Sequence, residues 1–236
     1  MKIDYRKKSE TLYCFSPFVT LLTGALELAC ALYAFATYRR TPFGRTATLL
    51  IFLLAIFQFS EYAICSGGSI ALWNKIGYAA IALLPATGVH LTELVTKKTF
   101  WTPLSYAAGI AVALLILIPG GAFITTYCTG TFVLFELDAF PSSVLGIYYF
   151  LFLLTPMAKL AVHLVRKQKN AHLILWMFLG YLSFLVPTLT VTLLFASSQR
   201  GIPSIMCGFA VLLACIVIFK ILPLYHKKKS AKLKVV

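Results

Sequence analysis

The chain has 236 residues, of which 60% are hydrophobic and only 12% charged, and its formal net charge is +14. Soluble domains are about 45–50% apolar and about 25% charged, so this composition, with a mean hydropathy of +0.89, excludes an ordinary soluble enzyme or binding domain. The positive charge does not mark a nucleic-acid binder either. It lies in short blocks between apolar runs rather than on one face of a polar module, and no nucleic-acid partner is expected.

Seven apolar stretches fill nearly the whole chain, at about 12–37, 46–66, 76–96, 102–126, 143–165, 172–196 and 203–225. Each reaches the roughly 20 apolar residues that a spanning helix needs. Lipid offers backbone polar groups no partner outside the helix. The expected fold is therefore an all-α membrane protein, a seven-transmembrane helix bundle. Its parts are an external N-terminal segment 1–11, a transmembrane domain 12–225 and a basic tail 226–236. The first ten residues carry Lys2, Arg6, Lys7 and Lys8, a basic start of the kind found in signal peptides. The first span is long, holds Glu27 and has no clear cleavage site, so seven spans are expected rather than six.

Lysine and arginine orient the bundle. One side carries Arg39, Arg40 and Arg45, then Lys97 and Lys98, then Arg166, Lys167 and Lys169, then the tail lysines 227, 228, 229, 232 and 234, with no acid among them. The opposite links carry Lys75 and Arg200 with the acids Glu136 and Asp138. The positive-inside rule puts the C-terminus in the cytoplasm and, with seven spans, the N-terminus outside. The longest external link, 127–142, holds Phe132, Phe135, Glu136, Asp138 and Phe140. It reads either as a short interfacial helix or lid, or as part of an aromatic belt at the headgroups.

Ionisable groups inside spans cost roughly 2.5–3.5 kcal/mol each when central, so they are the best functional pointers. Glu27 lies near the middle of the first span, on one face with Thr20, Thr23 and Gly24. It faces the bundle, either as a neutral carboxyl bonded to a neighbouring helix or as a ligand- or proton-binding group. Glu61 lies in the outer part of the second span beside Gln58 and Tyr62. Glu93 and Lys97 are spaced i, i+4 in the favourable order, and Lys159 sits at a similar depth in the fifth span, which predicts a structural ion pair among Glu93, Lys97 and Lys159. Lys220 is within snorkelling reach of the basic end. Pro187 is followed by Thr188, Thr190 and Thr192; these hydroxyls either line a cavity or bond back to backbone carbonyls near a loosened turn.

No nucleophile, nucleotide or zinc motif is present, and no catalytic residue is expected. His90 and Glu93 at i, i+3 would make half of a bundle metal site, but facing acids or histidines at that depth are missing. No metal and no cofactor are expected. Cys65 and Cys128 fall near ends that share the outer side, where an oxidising exterior favours a disulfide; bonded and free states both stand.

The run Leu72-Trp73-Asn74-Lys75-Ile76-Gly77-Tyr78, then Ile81-Ala82-Leu83-Leu84-Pro85, preceded by Glu61, resembles the N-terminal seven-transmembrane sensor region of bacterial membrane histidine kinases, in which a glutamate, a tryptophan and a proline recur in this order. The later run Gly201-Ile202-Pro203-Ser204 is compatible with it. The resemblance implies an external N-terminus, a cytoplasmic C-terminus, a bacterial inner membrane and a sensing bundle coupled to a cytoplasmic output. After Tyr225 only His226 and a short basic tail follow, so the output is expected to be a separate partner.

The reading that follows is a non-enzymatic receptor-like membrane sensor. It would bind a small apolar or amphipathic ligand from the outer side around Glu61, Tyr62, Trp73, Glu27 and Thr188, with Pro187 and Thr188 as a flexible turn. Membrane lipids are its surroundings, and the basic tail would meet anionic lipid at about 1 kcal/mol per basic residue near the surface. The alternative is a small proton-coupled transporter using Glu27. An intramembrane enzyme built on His90 and Glu93 comes third.

Overall fold

The computed structural model describes residues 17–97, 100–118, 123–128, 133–166, 170–194 and 201–233. The expected external segment 1–11 and the basic residues Lys98, Lys167, Lys169, Arg200 and Lys234 lie outside the described residues. Helices α1 (Pro17–Tyr38), α2 (Pro42–Cys65), α3 (Ile70–Thr96) and α4 (Trp101–Leu117) are followed by strands β1 (Phe123–Cys128) and β2 (Val133–Leu137). Then come α5 (Ala139–Val165), α6 (Ala171–Leu194) and α7 (Ile202–Ile216), a π-helical turn (Val217–Ile221) and α8 (Leu222–Leu233).

Six helices are long and apolar enough to cross a membrane, counting Ile202–Lys227 as one, and α4 is a shorter apolar helix of 17 residues. The chain is a multi-pass helical membrane protein. Its outward faces are apolar, as lipid requires: Phe18 is 72% exposed, Ile147 71% and Leu193 84%.

Local sequence explains where the helices start and stop. Pro42 opens α2 where a missing N–H costs nothing, and the Thr41 hydroxyl accepts the Gly44 N–H at 3.0 Å. Gly44 is required there, because a Cβ would stand 2.1 Å from the Tyr38 carbonyl oxygen. The helix α3 ends at Lys97, which adopts a left-handed conformation (φ 58°). Pro223 has no N–H to give to the turn before it, and the chain widens into the π-turn just ahead of it, where the Leu222 N–H reaches Val217 O.

The fourth apolar stretch departs from expectation. The span read as 102–126 is a helix only to Leu117. Ile118, held extended ahead of Pro119 (ψ 131°), leads out of it, and Phe123–Cys128 forms a strand. With β2 it makes an antiparallel hairpin in which Cys128 faces Val133 and Phe123 faces Leu137, with an irregularity between Phe123 and Thr125. The described residues of the link 127–142, expected to be external, thus belong to a hairpin rather than an interfacial helix, and the last of them, from Ala139, belong to α5. Other boundaries move less: α3 starts at Ile70, ahead of 76, and the last helical run extends past 225 through Leu233.

Five helices form a ring in which each packs on the next: α2 on α3, α3 on α5, α5 on α6, α6 on α7, and α7 on α2. Outside the ring, α1 packs on α2 and α7, and α4 packs on α3 and α5. The core runs through the ring, with Phe57, Tyr78, Leu160 and Ile174 among its buried side chains. The two ends differ in chemistry. One end carries the hairpin. The other carries Arg39, Arg45, Lys97, Arg166 and α8, and is the basic end.

Candidate functional site: a cavity in the ring

The ring encloses a cavity of about 50 Å³, partly open to the surroundings. All five ring helices line it, from Met206 and Phe184 to Phe43 and Ile221 at the basic end. No charged side chain lines it; apart from apolar groups, the walls present Tyr149, Tyr181 and Cys207. Its lining has the character of the usual small-molecule site, mostly apolar with a few polar groups.

The basic end of the cavity is coupled to α8. Phe43 lines the cavity and stacks on Tyr225 with centroids 4.3 Å apart and planes 15° from parallel. Val217 and Ile221 of the π-turn also line it. The next residue along, His226, lies over Tyr38 at 4.6 Å, and its Nε2 is 3.3 Å from Thr41 Oγ1. The turn between α1 and α2 therefore grips α8 immediately beneath the cavity.

The hairpin fastens the opposite end to three helices. Cys128 is disulfide-bonded to Cys65 at the end of α2, with Cα atoms 5.5 Å apart. Asn74 of α3 donates to Thr126 Oγ1 at 2.7 Å. Ser204 of α7 hydrogen-bonds both Glu61 of α2 and, at 2.9 Å, the carbonyl of Val133. Thr126 and Val133 are both buried.

None of the five residues named from the sequence as a ligand site lines this cavity. Glu61 is buried in the Ser204 junction. Trp73 is half-buried, and its indole sits over Gly68 in the turn from α2 to α3. Tyr62 is half-buried near the same end. The Thr188 hydroxyl donates to the Phe184 carbonyl at 2.7 Å, and Thr190 and Thr192 likewise bond four residues back, which is the backbone-satisfying role. Glu27 is completely buried between α1 and its neighbours, and among the described residues neither carboxyl oxygen has a hydrogen-bond partner. Gln58 Nε2 is also buried without a partner, and Gly24, one turn before Glu27, packs directly on Gln58. Glu61 and Cys207 lie within electrostatic range of Glu27.

Of the three residues expected to form the ion pair, Glu93 and Lys159 meet and Lys97 stands apart. Glu93 Oε1 is 2.6 Å from Lys159 Nζ, while Lys97 leaves the helix at its left-handed cap and is exposed. The Glu93 carboxylate also accepts the Trp101 N–H at 3.1 Å, the Thr102 N–H at 2.9 Å and the Thr102 hydroxyl at 2.8 Å. It is therefore an N-terminal cap for α4 supplied by α3, where donors and dipole favour an anion. His90 faces Tyr106, with Nδ1 3.3 Å from its hydroxyl. Among the described residues, no three His, Cys, Asp or Glu side chains gather as metal ligands. Lys220 lies over Trp176, 5.5 Å from the ring centre.

Sequence reasoning missed the cavity residues Phe43, Tyr149, Tyr181 and Cys207. The available signal was weak: Tyr149 and Tyr181 are polar-tipped aromatics at mid-span, and a buried tyrosine hydroxyl usually seeks a partner. Compared with known proteins, the chain matches no family model and no curated protein.

Proposed function

We propose that the chain is a non-enzymatic, receptor-like membrane module that binds a small apolar ligand inside the five-helix ring and passes a helix shift at its basic end to a signalling partner. The observation that carries this reading is the ring cavity itself, apolar with three polar-tipped side chains on its wall and with its basic end built from Phe43, Val217 and Ile221. A ligand can shift an equilibrium only by contacting two states differently. Here the contact surface includes a π-turn, a helix irregularity common at functional sites, and a phenylalanine stacked on α8. In this proposal the ligand site lies in the ring, away from Glu61, Tyr62 and Trp73. The proposed role matches that of the seven-transmembrane sensor regions the sequence resembles.

The proposed orientation puts the hairpin end outside and the basic end in the cytoplasm, in a bacterial inner membrane with α4 as the seventh span. The tail lysines would then lie against anionic inner-leaflet lipid.

One observation favours a second reading, a proton-coupled carrier: the fully buried Glu27 carboxyl, without a hydrogen-bond partner among the described residues. An unpaired carboxylate in such surroundings is costly, and a carrier would load and unload a cation or proton there. A single reconstitution separates the two. Protein in sealed vesicles is exposed to pentadecane as a plain apolar probe, with spin labels on α8 and α2 reporting distance and an internal dye reporting protons. The receptor reading expects a change in the α8–α2 distance that Tyr225→Ala abolishes, with no proton flux. Proton flux that Glu27→Gln abolishes, without movement of α8, would overturn it in favour of the carrier.

A further inference from the structure

The cavity walls are not uniformly apolar, and their polar groups come together. Tyr149 on α5, Tyr181 on α6 and Cys207 on α7 all line the cavity, and Tyr149 lies within electrostatic range of both others. Three different helices thus bring their polar tips to one region. Among the described residues the Tyr149 hydroxyl has no hydrogen-bond partner. The Tyr181 hydroxyl lies on the bare backbone of Gly88, where a Cβ would stand 2.6 Å from it. It reaches toward Thr92, whose hydroxyl is completely buried and makes no other hydrogen bond.

A hydroxyl aimed into an apolar, water-poor space without a partner loses free energy that a ligand can restore. Each of these groups carries a hydrogen to donate, the thiol weakly, and the walls supply no cation that would hold an anion. The complementary ligand is therefore neutral, mostly hydrocarbon and equipped with an acceptor oxygen.

We infer that the ring binds a neutral molecule with a long hydrocarbon body and a carbonyl oxygen, of the ester or ketone class, and that the hydroxyls of Tyr149 and Tyr181, with the Cys207 thiol beside them, grip that oxygen. This inference rests on the ring being the ligand site. It adds the chemistry of the occupant and the residues that select it. The hydrocarbon body lies along Leu54, Phe152, Met177 and Leu213, and its far end reaches toward Phe43 and the π-turn. Tyr149 and Tyr181 give orientation and selectivity, and the apolar walls give most of the affinity.

The test measures binding of three radiolabelled probes to the full chain in nanodiscs, with empty nanodiscs subtracted: methyl laurate, pentadecane of equal heavy-atom number, and laurate. Methyl laurate is expected to bind one per chain and about tenfold more tightly than pentadecane, the scale of one to two net hydrogen bonds. Laurate should bind more weakly than the ester. The double variant Tyr149→Phe/Tyr181→Phe should bring methyl laurate down to the pentadecane level while leaving pentadecane unchanged. Gly88→Ala, which displaces the Tyr181 hydroxyl and adds only a methyl group, should lower the ester preference several-fold in the same selective way. Equal binding of ester and alkane to the native chain would overturn the carbonyl inference and leave the ring as an apolar site. Laurate binding as tightly as the ester would overturn the neutrality of the ligand. An ester preference that survives the double variant would overturn the tyrosine assignment. Failure of every probe to bind the native chain would remove the ring site itself.

Discussion

Glu93 joins three helices through one carboxylate. It sits on α3, caps the first N–H groups of α4 and meets Lys159 of α5 at 2.6 Å. Lys159 in turn lies 5.9 Å from the centre of the Trp101 ring. Glu93 is 1% exposed, so deleting it strands a lysine and the N–H groups that open α4. Glu93→Ala should lower stability by about 3 kcal/mol, in the range for breaking a buried pair, whereas Glu93→Gln, which keeps acceptor capacity, should cost less. Unfolding in mixed detergent reads both, and a Glu93→Ala protein as stable as the native chain would disprove the cap. Part of this was legible in the sequence. The depth of Lys159 pointed to Glu93, but the i, i+4 rule also pointed to Lys97, and that rule holds only while both residues stay helical. Lys97 is at the left-handed cap. The contacts to Trp101 and Thr102 were not legible, because they depend on how tightly the chain turns between α3 and α4. Glu27 was recognised as buried from its depth alone, yet nothing local could tell that its oxygens lack partners.

At the level of elements, six long apolar helices follow directly from hydropathy, because an apolar run of about 20 residues satisfies its own backbone in lipid as a helix. The hairpin was hidden by the same criterion. Its residues continue the apolar run of the fourth stretch, and window hydropathy does not distinguish a strand from a helix. The distinguishing signals were present in the sequence: Pro119-Gly120-Gly121 is rich in helix-breaking residues, Thr129-Gly130 is a turn-type pair, and Phe123-Ile124-Thr125-Thr126-Tyr127 is aromatic and β-branched. A two-stranded hairpin is marginal alone, so its order depends on Cys65–Cys128, Asn74–Thr126 and Ser204–Val133. Reducing the disulfide should therefore raise amide exchange over 123–137, and adding Asn74→Ala should raise it again by roughly fivefold, as loss of about 1 kcal/mol of hydrogen bonding implies. The ring helices should be unaffected. Hairpin exchange that ignores both changes would show that these tethers do not hold it.

For the whole molecule, the ring cavity illustrates what sequence cannot give. Its lining is mostly leucine, phenylalanine and methionine, residue types that also face lipid, as at Leu22, Phe150 and Leu193, so apolar composition carries no mark of which face closes on a space. The proposed orientation is different, because two unrelated properties bear on it and point the same way. Basic residues gather at the end carrying α8, which the positive-inside rule assigns to the cytoplasm. The disulfide lies at the other end, and disulfides persist in oxidising compartments. Charge acts on insertion and thiol chemistry acts afterwards, so neither dictates the other. Asp138 at the hairpin end and Lys227 at the basic end are both exposed. In a chain carrying Cys14→Ser and Cys215→Ser, with Cys30 and Cys207 buried, a membrane-impermeant maleimide should label Asp138→Cys in intact cells. It should label Lys227→Cys only after permeabilisation. The reverse pattern would invert the bundle and with it the proposed output side. Labelling of both sites from outside would require an even number of crossings between them, so that one of α5, α6 and the α7–α8 run does not span.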